Sequence, residues 1–219
     1  MVVRTVLFAS LLLAACRAQC TTHERRAWRD TSCADRKAYL DAVVALKQHD
    51  GSGGIPNYDT FVTVHYQNRL IAHGYDAFLP WHRWYLFKFE KALQAVGPDP
   101  CITVPYWDWE RDEGMETATT VLETDSFGSS SGTVLRGKDR GCVDEGIANY
   151  TGPFSTTVRD NSCLKREFYN YQFAGVFNVM DRILSNTVFG PNAFRLSLEG
   201  YPHAIPHNFI GGHMATHHS

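Results

Sequence analysis

Five histidines of this 219-residue chain stand where metal chemistry could be done. His65, His73 and His82 fall within eighteen residues and are interleaved with Phe, Leu, Trp and Tyr. One histidine in such a setting is ordinarily a hydrogen-bonded core residue. Three shift the balance, because burying three imidazoles is costly unless something satisfies them together, and a metal ion does so. Neutral imidazoles with no thiolate or carboxylate among them suit a borderline metal, copper or zinc. His203 and His207 lie four apart. On a helix that spacing puts both on one face, about 6 Å apart at Cβ, a common chelating arrangement. His23 and His49 sit in polar settings and read as solvated; His213, His217 and His218 crowd the C-terminus and read as a frayed, exposed end.

Helices must position these side chains. Thr31 and Ser32 can cap a helix over residues 35–48, with Tyr39, Val43 and Leu46 at helical spacing. Gly51 to Pro56 breaks it. A second helix is predicted over 58–71, with Phe61, Val64, His65 and Leu70 available to one side. Pro80 falls where a first turn tolerates proline, so a long helix is predicted over 81–96. It is apolar nearly all round (Trp81, Trp84, Tyr85, Leu86, Phe89, Leu93, Val96), which predicts a deeply buried position. Arg83 and Glu90, seven apart on it, read as structural partners. Residues 101–109 read as short and extended, 111–162 as a long irregular loop, and 164–184 as a return to an aromatic, helix-like pattern. Pro206, between His203 and His207, is tolerable if a helix starts near Pro202 and holds Pro206 in its first turn.

Composition sets outer limits. Hydrophobic residues make up 44% and aromatics 13%, enough for one sizeable packed domain. A net charge of −2 gives no electrostatic case for nucleic acid or an anionic membrane as partner. Residues 1–18 read as a secretory signal peptide: Arg4, an apolar run from Val6 to Ala15, then Cys16 and Ala18 as the small residues at the two positions a signal peptidase reads. A bacterial lipoprotein anchor at Cys16 is the rival reading. The mature domain is then 19–219, with no membrane partner once the signal is removed. Cys20, Cys33, Cys101, Cys142 and Cys163 remain, widely spaced as for disulfides, and Cys142 with Cys163 could staple the long loop. Five is odd, so one thiol stays free or pairs outside the chain. Asn149-Tyr-Thr151 is a glycosylation sequon.

The run from His73 to Glu90, with Phe78-Leu-Pro-Trp-His82-Arg83 at its centre, resembles the first copper signature of the tyrosinase family, which includes tyrosinases, catechol oxidases and hemocyanins. Pro105-Tyr-Trp-Asp-Trp109 is similar to the segment that follows it. Leu198-Glu199-Gly200, Pro202-His203, His207 and Ile210-Gly-Gly-His-Met214 resemble the opening of the second copper region. The resemblance implies a mainly α fold: a four-helix bundle holding a binuclear copper site, a long irregular loop between the two copper regions, and a chain incomplete at its C-terminus. It implies two copper ions, one on His65, His73 and His82 and a second on His203, His207 and a third ligand. The family motif that supplies that third ligand is absent before Ser219.

The implied activity is oxidation of catechols to ortho-quinones by dioxygen, with monophenols as a further substrate. Ala204 stands where monophenol-hydroxylating members often carry asparagine. That leaves Glu199 as the matching catalytic group for orienting a water and accepting a phenolic proton. No cysteine lies two residues before His73, where Ile71 stands, so no cysteine–histidine thioether is expected. A hemocyanin-like oxygen-binding protein and a non-catalytic fragment with only the first metal site formed are the competing readings.

Overall fold

Ser32 ends an extended stretch and caps the first helix of the computed structural model, α1 (Cys33–Gln48). Its Oγ accepts from the Asp35 N–H at 3.1 Å and donates to the Asp35 carboxylate at 2.7 Å, a reciprocal cap. Thr31 turns back instead, donating to the Ala27 carbonyl. The structure describes residue 20 and residues 23–112, 119–128, 142–143, 145–147, 164–168, 176–185 and 190–215. Residues 1–18 with Cys16, most of the long loop, Asn149, Cys163, His217 and His218 lie outside them.

Asn57 starts α2 (Tyr58–Ala72) by accepting from the Thr60 N–H. Phe61 and His65, four apart, share its buried face. The chain leaves through an extended His73 and a left-handed Gly74 (φ 75°) and re-enters α3 (Phe78–Val96). Pro80 sits in the first turn of α3, where its missing N–H costs nothing. α1, α2 and α3 pack on one another around Trp28, Tyr39, Val43, Leu46, Phe61 and Leu93. The end of α3 presses close on α1: a Cβ at Gly97 would lie 2.7 Å from the Ala42 Cβ, so this contact requires glycine.

α3 corrects the expectation of a helix buried all round. Its inner face carries Phe78, Glu90, Ala92 and Leu93. Its outer face shows Trp84 at 57% exposure beside Leu86 and Phe87. There Trp84 and Phe87 stack at 5.5 Å, and Lys88 lies over the Trp84 ring, so the aromatics shield one another. Glu90 is structural as read, but its partner is not Arg83. It accepts from Arg25 Nε at 3.0 Å and from the Val104 N–H at 2.9 Å, which ties the extended segment to α3. That segment also pairs with the N-terminal stretch, Trp28 N–H to Tyr106 O and Tyr106 N–H to Arg26 O. Cys20 and Cys101 form a disulfide, Cys142 is disulfide-bonded too, and Cys33 is free and exposed.

The second half differs more from its sequence reading. Of the described residues between 164 and 184, 164–168 are not helical and 176–184 lie in α4 (Val176–Ser185). Residues 164–167 are spent on other partners: Val143 N–H donates to Leu164 O, Lys165 bridges Cys142, and Glu167 N–H donates to Ile210 O. The Arg166 guanidinium is buried on the Phe127 and Gly128 carbonyls. Those contacts outweigh the local helical preference. The helix bearing His203 also starts earlier than expected. α5 (Pro191–Leu198), a π-turn (Glu199–His203) and α6 (Ala204–Ile210) follow without a break. The wider turn takes in Pro202, and Pro206 falls in the first turn of α6. Among the described residues there is no strand, only isolated bridges. The fold is mainly α, as expected.

Candidate metal centre

α2, the loop after it and α3 converge on His65, His73 and His82. One potential ligand atom from each lies within 4.8 Å of the others. Their ring centroids are 5.2 Å apart for His65–His73, 5.5 Å for His65–His82 and 4.9 Å for His73–His82. His65 is buried, and Trp81 and Tyr85, stacked on each other at 5.0 Å, both pack against its ring. Phe78 packs against His73 and His82 from the other side. The aromatic residues between the histidines therefore wall the group, which is why they alternate in sequence.

The π-turn and α6 bring His203 and His207 to the same place. Their rings lie 4.7 Å apart, and His203 stands 5.9 Å from His73 and 6.2 Å from His82. Phe78 is the shared neighbour, 5.0 Å from His203. Five histidines from two distant parts of the chain thus form one cluster.

Four of the rings are held by main-chain carbonyls. Nδ1 of His73, His82 and His203 faces the carbonyl four residues earlier, on Arg69, Phe78 and Glu199, at 3.1, 2.8 and 3.2 Å. His207 uses Met214 O instead, at 2.6 Å. A carbonyl only accepts, so Nδ1 carries the proton and Nε2 presents its lone pair, the state a metal ligand needs. The buried Nε2 of His82 has no hydrogen-bond partner among the described residues. Burial pushes His82 and His207 below the ordinary histidine range. Burial, then the neighbouring His207, takes His203 down to about 4. Neutral imidazoles, with His82 Nε2 lacking a hydrogen-bond partner among the described residues, fit a copper ion.

His213 corrects the expectation of a frayed end. It is half-buried, its N–H donates to Lys165 O at 3.0 Å, and its Nδ1 accepts from the Lys165 N–H at 3.2 Å. This two-way bond closes the turn that aims Met214 O at His207. Met214 was missed in the sequence, where the Gly211–Gly212 pair was the available sign of a sharp turn. His49 is half-buried rather than solvated and accepts from the Gly51 N–H, while His23 is exposed as read. Glu199 lies at the seam of the two histidine groups: Oε1 accepts from the Gly74 N–H at 2.6 Å and Oε2 from Arg195 Nη1 at 2.9 Å.

Residues 56–219 match the family described as the common central domain of tyrosinase. The chain is 30% identical over 210 residues to the tyrosinase of Streptomyces antibioticus, which covers 83% of this chain and 70% of that protein. It is 35% identical over 144 residues to grixazone synthase of Streptomyces griseus, covering 61% of this chain and 40% of that protein. Its fold is similar to a mutant polyphenol oxidase of Thermothelomyces thermophila, with TM-score 0.63 and 25% identity, over 86% of this chain and 61% of the other. The chain thus spans well under two thirds of the synthase and somewhat under two thirds of the oxidase. Both histidine groups lie within the matched residues, and the chain belongs to the tyrosinase family.

Proposed function

We propose that the two histidine groups hold a pair of copper ions and that the protein oxidises catechols to ortho-quinones with dioxygen. The observation that carries this is the convergence of the His65–His73–His82 triad with His203, 5.9 Å from His73. His65, His73 and His82 would hold one ion, with His203 and His207 on the other. Bound copper would supply the redox capacity that takes two electrons from each catechol and delivers four to dioxygen, two catechols giving two quinones and two waters.

The chain's own part is to hold and shield. Trp81, Tyr85 and Phe78 exclude water from the imidazoles, and the carbonyls behind His73, His82, His203 and His207 fix the rings. Glu199 remains the carboxylate offered for accepting a phenolic proton. Both of its oxygens already take donors, however, and Ala204 follows His203, so a catechol is the favoured substrate. The identity to bacterial tyrosinases and the likeness to a polyphenol oxidase support an oxidoreductase of this kind. The Cys20–Cys101 disulfide supports an oxidising compartment, reached through residues 1–18 as a secretory signal.

The test is copper per chain together with catechol turnover, in the wild type and in His82→Ala. Near two coppers with quinone formation, both lost in the variant, is the expected result. Two coppers with reversible oxygen uptake and no turnover would assign an oxygen carrier instead. One metal or none would leave the non-catalytic reading.

A further inference from the structure

We propose that Glu199 is a positioning residue that clasps the two histidine groups together. The proposal rests on the reading of His73 and His203 as metal ligands. It assigns Glu199 and Arg195 a role in holding the distance between them.

Glu199 touches both groups at once. Its side-chain Oε1 accepts from the N–H of Gly74, the residue directly after His73, at 2.6 Å. Its main-chain carbonyl lies 3.2 Å from His203 Nδ1 and orients that ring. Glu199 thereby links Gly74 to His203, and its bond to Gly74 alone spans 125 residues of chain. Gly74 is the second residue beyond α2, directly after His73, and its φ of 75° turns the chain from α2 toward α3. Fixing its amide therefore fixes the exit of His73 from the helix.

The carboxylate is out of place on simple electrostatic grounds. It sits by the C-terminal end of α2, where the helix presents its carbonyls and disfavours negative charge. Arg195, one turn earlier on the same helical run, compensates through Nη1 at 2.9 Å from Oε2. Both side chains are withdrawn from solvent, Glu199 at 14% exposure and Arg195 at 9%. Asp76, on the same loop as Gly74, lies 3.5 Å from Arg195 Nε but is 85% exposed, an ion pair with little hold. The firm link is Gly74–Glu199–Arg195. A charge-assisted bond from a main-chain amide to a partly buried carboxylate is stronger than a neutral one, and it resists the loop's drift. A group whose only task was to take a proton would have no need to grip the amide next to a ligand.

Two measurements on the whole protein test this. Glu199→Ala should lower copper affinity by about 10- to 100-fold, the usual cost of losing an outer partner of a ligand. Competition with a chromophoric chelator at fixed pH reads it. Glu199→Gln keeps an oxygen for the Gly74 N–H and should recover most of that loss. In the metal-free protein, Gly74 amide exchange should be slow in the wild type and at least about tenfold faster in Glu199→Ala, consistent with loss of a charged hydrogen bond. Wild-type copper affinity together with unchanged Gly74 exchange in Glu199→Ala would overturn the clasp. His82→Ala is the control for the reading beneath it: unaltered copper binding there sinks the metal site itself, whereas loss there with none in Glu199→Ala sinks only the clasp.

Discussion

Gly212→Ala should damage the centre from outside it. Gly212 has φ 53°, and a Cβ there would stand 2.3 Å from the main-chain oxygen of Lys165 and 2.9 Å from the Arg166 Cα. A side chain in the left-handed region costs about 1–2 kcal/mol. The contact is with main chain pinned on both sides, so the turn rather than the neighbour must move. Moving it gives up the two hydrogen bonds between His213 and Lys165, at about 1 kcal/mol each. The total is about 3 kcal/mol, and with a urea m-value of about 2 kcal/mol/M the midpoint falls by roughly 1.5 M. The same shift draws Met214 O away from His207 Nδ1, so copper bound at the His203–His207 end should also fall. Gly51→Ala is the comparison, because Gly51 has φ 82° but nothing within 4 Å of the added Cβ. It should lose only the conformational part, about 1 kcal/mol. Urea unfolding of the metal-free variants, followed by tryptophan fluorescence, decides the matter. Equal midpoints for the two variants would refute the packing argument, and unchanged copper content in Gly212→Ala would refute the link to His207.

Asp112 is 1% exposed and takes donors from Arg29, Trp107 Nε1 and Thr119 Oγ1. Asp112→Asn should destabilise by about 3–5 kcal/mol, since it strands the Arg29 charge, and a urea midpoint within error of wild type would contradict this. Reducing the Cys20–Cys101 disulfide, which spans 81 residues, should cost roughly 4.5 kcal/mol by loop entropy, seen as a lower melting temperature in Cys101→Ser. The metal-free protein should lose stability as pH falls. His203 binds its proton more weakly when folded, at about 4, than unfolded, near 6.5. Its contribution is therefore complete above about 6.5 and declines as pH drops toward 4. Melting temperatures across that window should fall less steeply in His203→Gln; identical slopes would count against a depressed His203.

The site was more legible in the sequence than the fold around it. His65, His73 and His82 announce themselves because three imidazoles among Trp, Phe and Tyr have no cheap alternative to a shared partner. The four-residue spacing of His203 and His207 put them on one face whether or not the helix start was placed correctly. Local signals also found α1, α2 and α3, where Ser32 caps the first, the Gly51–Pro56 break precedes the second and Pro80 marks the first turn of the third. What was missed depends on partners far off in the chain. Nothing near Glu90 says that Arg25 rather than Arg83 will meet it, and nothing near residues 164–167 says that Ile210 and Val143 will claim their main chain. The exposed face of α3 was missed for a related reason: composition shows that a helix is apolar, not which neighbours it will find.

The π-turn at Glu199–His203 sets a limit on how this chain can change length. One residue of an α-helix turns the chain by about 100°. Deleting Gly200 would take the extra residue out of the wide turn and rotate every residue after it by about that angle, while Pro202, which lacks an N–H, would have to fit a tighter turn. His203 and His207 would then point away from His73 and His82. The extra residue is thus a phase setting, and a deletion here should yield a protein whose copper content falls by half or more. A Gly200 deletion that keeps its full copper would show that the wider turn is incidental.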